Sequence, residues 1–155
     1  VQGCNIHCEG CHNKHTWDFE GGHEFTPQVL DNIVNGLTAQ GVTRNLCILG
    51  GEPLDPQNQL LTALVVSTVR EKVPAANIWV WTGFSMEHLL KNRSSHMSTI
   101  LKQIDGLVTE PFILAQRDIT LPMRGSRNQK IMIFDRKNNL WYNLYNKDER
   151  YELNG

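Results

Sequence analysis

Strand-like and helix-like segments alternate along this chain, and the alternation predicts an α/β fold, a sheet or partial barrel. Three observations carry the expectation. Short apolar runs at 46–49, 78–82 and 106–108 read as strands, amphipathic segments of helical spacing lie between them, and several of those segments open with a capping residue.

In chain order, Thr26 and Pro27 read as an N-cap followed by proline at the first helical position, and Leu30, Ile33, Val34 and Leu37 then recur on one helical face until Gly41. The run Leu46, Cys47, Ile48, Leu49 ends in Gly50-Gly51 and is expected to be a central parallel strand covered on both faces, with Cys47 in the core. Asp55 and Pro56 repeat the cap-and-proline signature, so a second helix is expected with Leu60, Leu61, Leu64, Val65 and Val69 inward, stopping by Pro74.

Ile78, Trp79, Val80, Trp81 and Thr82 suit a packed pleated strand closed by Gly83; the two indoles share a face and are expected to pack beneath a helix. Ser85 can cap a short helix through Leu90, a further helix is expected over 96–104, and Gly106, Leu107 and Val108 form a third strand. Segments 130–134 and 140–145 flank a polar run and read as a hairpin, with a frayed polar tail from Asn146.

A length of 155 residues, 40% hydrophobic and 20% charged, fits one compact domain: a loop at 1–17, an α/β core at 26–129, and a hairpin and tail at 130–155. Lys and Arg (15) nearly balance Asp and Glu (16), which gives no reason to expect a nucleic-acid partner. No apolar run approaches the roughly 20 residues that span a bilayer, and no signal-peptide pattern opens the chain, so a cytoplasmic protein with no membrane partner is expected. The chain starts at Val1 rather than Met and enters its cysteine loop almost at once, so a first strand is expected upstream.

Four cysteines are too few for a disulfide scaffold, and Cys4, Cys8 and Cys11 crowd into one loop with the spacing C-x3-C-x2-C. Such a loop brings three thiolates to one centre and supplies no fourth. In a four-iron cluster the shortfall leaves one iron able to bind a substrate. The alternative is a structural zinc site completed by His7, His12, His15 or His23, as in a binding module without catalysis. Zinc loops more often show paired C-x2-C or a distant His pair, which favours the cluster. His88 and His96 fall in expected helices without a metal partner.

The cysteine loop, the Gly50-Gly51-Glu52-Pro53 turn after a strand, and the strand ending in Thr82-Gly83 together resemble the radical-SAM superfamily. More narrowly, His12-Asn13, Thr16-Trp17 and the run Arg124-Gly125-Ser126-Arg127-Asn128-Gln129 resemble the small activating proteins of anaerobic (class III) ribonucleoside-triphosphate reductases. The resemblance runs from Gly3 to about Gln129.

It implies an incomplete (β/α) barrel of the radical-SAM type, lacking its first strand here. It also implies a 4Fe-4S cluster on Cys4, Cys8 and Cys11, with S-adenosylmethionine held at Gly50, Gly51, Glu52 and Pro53. Thr82, Gly83 and Arg124 are further candidate contacts for that cofactor. The implied reaction gives a 5'-deoxyadenosyl radical that takes hydrogen from a glycine of the large reductase subunit, with an electron donor of unknown identity. Rival targets are another glycyl-radical enzyme or a nucleobase precursor. Where relatives often carry Asp-Gly after the third strand, this chain has Glu110-Pro111. The basic residues Arg117, Arg124, Arg127, Lys130, Arg136 and Lys137, set against only Asp118 and Asp135, form a candidate docking face for the protein partner.

Overall fold

The computed structural model describes residues 1–154 and builds an α/β domain on one open six-stranded mixed sheet. Strands β1 (Leu46–Ile48), β2 (Ile78–Trp81) and β3 (Gly106–Thr109) run parallel, as the alternating segments predict. β4 (Lys130–Asp135), β5 (Leu140–Asn143) and β6 (Asn146–Glu152) then extend the sheet in antiparallel order. The sheet does not close into a barrel.

Helix α1 (Pro27–Thr38) starts where expected, with the Thr26 hydroxyl accepting from Val29 N. α2 (Gln59–Lys72), α3 (Met86–Lys91) and α4 (Ser95–Gln103) connect the parallel strands, and α2 packs on α4. Ser85 and Ser94 cap α3 and α4 through His88 N and Met97 N. Alternate strand residues Ile48, Ile78, Val80, Leu107 and Met132 join Val66, Val69, Ile100 and Leu101 in one buried core.

The opposite sheet face carries Cys47, Trp79 and Trp81, and none of the three joins that core. This corrects the expectation that the tryptophans pack beneath a helix, because the helical layer takes the other alternation, Ile78 and Val80. Trp79 instead lies on Gly106, where a Cβ would stand 2.3 Å from the ring, so the strand pairing itself requires glycine there. Trp81 Nε1 donates to the Met123 carbonyl at 2.9 Å.

Three other expectations are corrected. β1 is an edge strand rather than a central one, so Cys47 is exposed instead of buried. α2 begins at Gln59 rather than Pro56, since Asp55 closes a separate turn whose carbonyl accepts from Asn58 N and Gln59 N. That later start turns Leu60 and Leu64 to solvent, 66% and 49% exposed, and puts Thr62, Ala63, Val65, Val66 and Val69 inward. Finally, the segment from Asn146 is ordered as β6, because ladder hydrogen bonds along β5 need no apolar side chains. Leu153 beyond it is fully buried.

Candidate functional site

The cysteine loop is closed by its own backbone. Gly3 N and Cys4 N donate to Thr16 O and Trp17 O at 2.8 and 3.0 Å, Cys11 N donates to Cys8 O at 3.2 Å, and a short 3-10 turn, Lys14–Thr16, returns the chain. The Trp17 ring stacks on His7 with centroids 4.2 Å apart. Leu114 packs on Gly10 from the facing loop.

Cys4, Cys8 and Cys11 all face one cavity of about 180 Å³, together with Gly50, Gly51, Glu52, Thr82 and Gly83. Segments far apart in sequence thus meet at the carboxyl ends of β1 and β2, where open parallel sheets build their sites. A larger cavity of about 590 Å³ lies along the outer edge of β1, but it holds neither the loop cysteines nor the glycines of the turn.

Burial raises the Cys8 thiol above its ordinary value; a backbone contact from Phe112 opposes the rise, and the neighbouring Cys11 and Cys4 add to it. Iron relieves such crowding by binding the thiolates. Among the described residues, no three His, Cys, Asp or Glu side chains converge tightly enough to hold a single ion. Three thiols ringing a cavity suit a cluster, whose irons stand apart, better than one zinc with sulfurs at about 2.3 Å.

The 50–53 turn lies directly on the loop. Glu52 N donates to Gly3 O at 2.7 Å and Gly51 N to Val1 O at 2.8 Å, and a Cβ on Gly51 would stand 2.3 Å from Gly3 O. Glu52 is 2% exposed, and its carboxylate accepts from Leu54 N (2.9 Å), Thr82 Oγ1 (2.7 Å) and Gly83 N (2.7 Å). Burial pushes this carboxyl up to about 7, against the downward pull of the Gly83, Thr82 and Leu54 hydrogen bonds. The side chain therefore ties the turn to the end of β2.

Pro53 is buried behind the turn, its carbonyl accepting from Thr62 Oγ1 at 2.8 Å, and it does not line the cavity. Arg124 is not brought to the cavity either: its guanidinium lies 4.8 Å from the Tyr145 ring centre and donates to Gln129 O at 3.2 Å. The 124–129 run is a staple. Gln129 Oε1 accepts from Gly125 N and Ser126 N, Asn128 Nδ2 donates to Pro111 O, and the buried Ser126 hydroxyl accepts from Ile113 N.

Of the 124–129 run, whose amides suit a cofactor's carboxylate or ribose, Gln129 lines the cavity, with Glu110 beside it and with Phe112, which sequence reasoning missed. The Thr109 and Lys130 pairing across β3 and β4 carries Gln129 to Glu110, and that register has no local signal. Lys130 is paired with Glu149 at 2.5 Å and with Glu110 at 3.9 Å, which makes it a weak member of the expected basic docking face.

The profile of the 4Fe-4S single cluster domain family matches residues 1–132. The anaerobic ribonucleoside-triphosphate reductase-activating protein of Vibrio cholerae serotype O1 is 36% identical over 135 residues, 86% of this chain and 84% of that protein. The protein of the same name in Escherichia coli (strain K12) is 35% identical over 132 residues, 84% of this chain and 83% of its own. That of Enterobacteria phage T4 is 31% identical over 135 residues, 84% and 79% of the two chains. No solved structure matches the chain significantly. Among the described residues no helix is long and apolar enough to cross a membrane. With its three-thiol cavity and these relatives, the chain belongs to the family of anaerobic ribonucleoside-triphosphate reductase-activating proteins, built on a 4Fe-4S single cluster domain.

Proposed function

We propose that this protein activates an anaerobic ribonucleoside-triphosphate reductase by cleaving S-adenosylmethionine reductively and leaving a glycyl radical on the large reductase subunit. The observation that carries this reading is the meeting of three loop thiols with the 50–51 backbone in one cavity, in a chain whose relatives are named activators of that reductase. A 4Fe-4S cluster held by Cys4, Cys8 and Cys11 and reduced by an external one-electron donor would supply the electron that splits the carbon-sulfur bond into methionine and a 5'-deoxyadenosyl radical, and that radical would take a hydrogen atom from the partner's glycine to give 5'-deoxyadenosine and the glycyl radical.

The residues of the chain bind and orient. Because the loop offers three thiolates, a four-iron cluster held there would keep one iron open to the polar methionine end of the cofactor. The carbonyls of Glu52 and Pro53 are already engaged by Asn58 and Thr62, which leaves those of Gly50 and Gly51 to accept from the N–H groups of the cofactor's amine. Glu52 holds that turn against Thr82 and Gly83 rather than meeting the cofactor's amine as its main partner. Gln129 and Glu110 present polar groups from the opposite wall, while Trp81 and Phe112 give the cavity apolar sides. Arg124 and Pro53 act as scaffold behind the turn and the rim.

The test is electron paramagnetic resonance of the reconstituted, reduced protein with and without S-adenosylmethionine, followed by mixing with the large reductase subunit. The cofactor should change the cluster signal, 5'-deoxyadenosine should form, and a glycyl-radical signal should appear on the partner. A cluster signal indifferent to the cofactor, with no 5'-deoxyadenosine produced, overturns the reading. A zinc-bound protein that takes up no iron does so as well.

A further inference from the structure

The proposed cofactor site lies between two pieces of backbone, the cysteine loop and the 50–53 turn, so its geometry depends on what holds them together. Part of the answer is direct, through the hydrogen bonds of Gly51 N and Glu52 N to Val1 O and Gly3 O. The rest comes from two polar side chains just before α2.

Asn58 Nδ2 donates to Gly3 O at 3.2 Å and to Glu52 O at 2.9 Å, and so grips both pieces with one amide. Asp55 Oδ2 accepts from Asn5 Nδ2 at 2.8 Å, beside the first ligand Cys4, while Oδ1 accepts from Gln57 N at 3.0 Å. Asp55 is 2% exposed and Asn58 8%, yet neither lines the cavity. Burying such groups is unfavourable unless their bonds are made, and here those bonds cross from α2's approach to the cluster loop. Capping α2 does not account for them: the Asn58 side chain makes no cap bond to the helix, and its amide points away from it.

We infer that Asn58 and Asp55 are positioning residues that set the gap between Cys4 and the 50–51 backbone, and hence how S-adenosylmethionine seats between them. The inference rests on the function proposed above. It assigns these residues to the cofactor without requiring that they touch it. A purely structural role would lower stability and leave cofactor affinity unchanged.

The test uses the full chain, reconstituted anaerobically. Asn58→Ala should keep its iron and sulfide content and the signal of its reduced cluster, but bind S-adenosylmethionine about tenfold more weakly and show an altered cofactor-induced change in that signal. Asp55→Asn should weaken binding likewise, because Asp55 accepts through both carboxylate oxygens and an amide keeps only one, so the bonds from Asn5 Nδ2 and Gln57 N cannot both be made. The exchange Asn5→Asp with Asp55→Asn should restore it: the amide introduced at 55 can still accept from Gln57 N through its oxygen while donating to the carboxylate introduced at 5.

Wild-type cofactor affinity and spectrum in cluster-loaded Asn58→Ala overturn the inference. If Asn58→Ala fails to load a cluster, the exchange decides, and a double variant no better than Asp55→Asn alone overturns the inference too. An unsubstituted protein whose cluster ignores the cofactor overturns the proposed function, and this inference with it.

Discussion

The Thr82 hydroxyl donates to the Glu52 carboxylate at 2.7 Å, joining the turn after β1 to the end of β2 across thirty positions of sequence. The same carboxylate takes the Gly83 N–H at 2.7 Å, so two adjacent strand ends are held by one buried acid. The relationship makes the first strand-end loop and the second a single rigid wall of the cavity.

This acid should make stability depend on pH. Its folded value is raised from 4.5 to about 7, so the folded state holds more protons than the unfolded state in that window. Stability from Glu52 is therefore present below about pH 4.5 and is lost as pH rises through about 7, by an amount on the order of a few kcal/mol. Urea unfolding of the iron-free protein at a series of pH values, with Glu52→Gln as reference, should show the wild type losing stability relative to the variant between these limits. A constant difference between the two proteins would show that the carboxyl titrates normally.

The cysteines should divide by place. Serine at Cys4, Cys8 or Cys11 should abolish cofactor cleavage and leave iron incorporation deficient, whereas Cys47→Ser should retain both. Cys47 is exposed on the edge strand, so a small alkylating reagent should label it in the folded, cluster-loaded protein while the loop thiols stay protected. Peptide mapping by mass spectrometry reads the outcome, and a protected Cys47 would contradict the edge position of β1.

Asp105 joins α2, β2 and the turn after β4. It accepts from Arg70 Nη2 at 2.6 Å, Arg136 Nη2 at 2.9 Å and Ile78 N at 2.8 Å. Burial opposes its ionisation, but the bonds from Arg136, Ile78 and Arg70 together outweigh it and hold the carboxyl below its ordinary value of 3.8. Its contribution is present above that ordinary value and lost as pH falls through the lower folded value. Asp105→Asn should cost about 1 to 3 kcal/mol at pH 7 by chemical denaturation, and the cost should shrink in acid. A cost that does not change with pH would mean that the charge is not what the two arginines recognise.

The orientation of α2 is open to a simple comparison. Leu60→Ser should change stability by less than about 0.5 kcal/mol, since the side chain is 66% exposed. Val66→Ala, at a fully buried position, should cost about 2 kcal/mol through lost contacts and a small void. The reverse order in thermal or denaturant unfolding would restore the helix face that the leucines alone suggest.

That pair also shows where local pattern misleads. The cap-and-proline signature at Thr26-Pro27 placed α1 correctly because the helix begins at the proline; at Asp55-Pro56 the same signature marks a turn, because Asp55 is engaged by Asn5 and Gln57 and the helix begins only after Asn58. The polar 146–152 segment gives no strand pattern, since an edge strand is held by backbone pairing that is blind to side-chain polarity. Arg124 has the chemistry for an anion and the sequence position to invite it, but its stack on Tyr145 depends on a turn between β5 and β6.

The order of the helices and parallel strands, the crowding of Cys4, Cys8 and Cys11, and the glycine turn at 50–51 are all legible in the chain, because each is written in spacing or residue type within a few positions. Folding in three dimensions puts β1 at an edge, lets Glu52 brace β2, brings Gln129 but not Arg124 to the cavity, and makes Asn58 and Asp55 bind the cysteine loop to the turn. Those outcomes depend on sheet order, register and hydrogen bonds between distant segments, which no local pattern encodes.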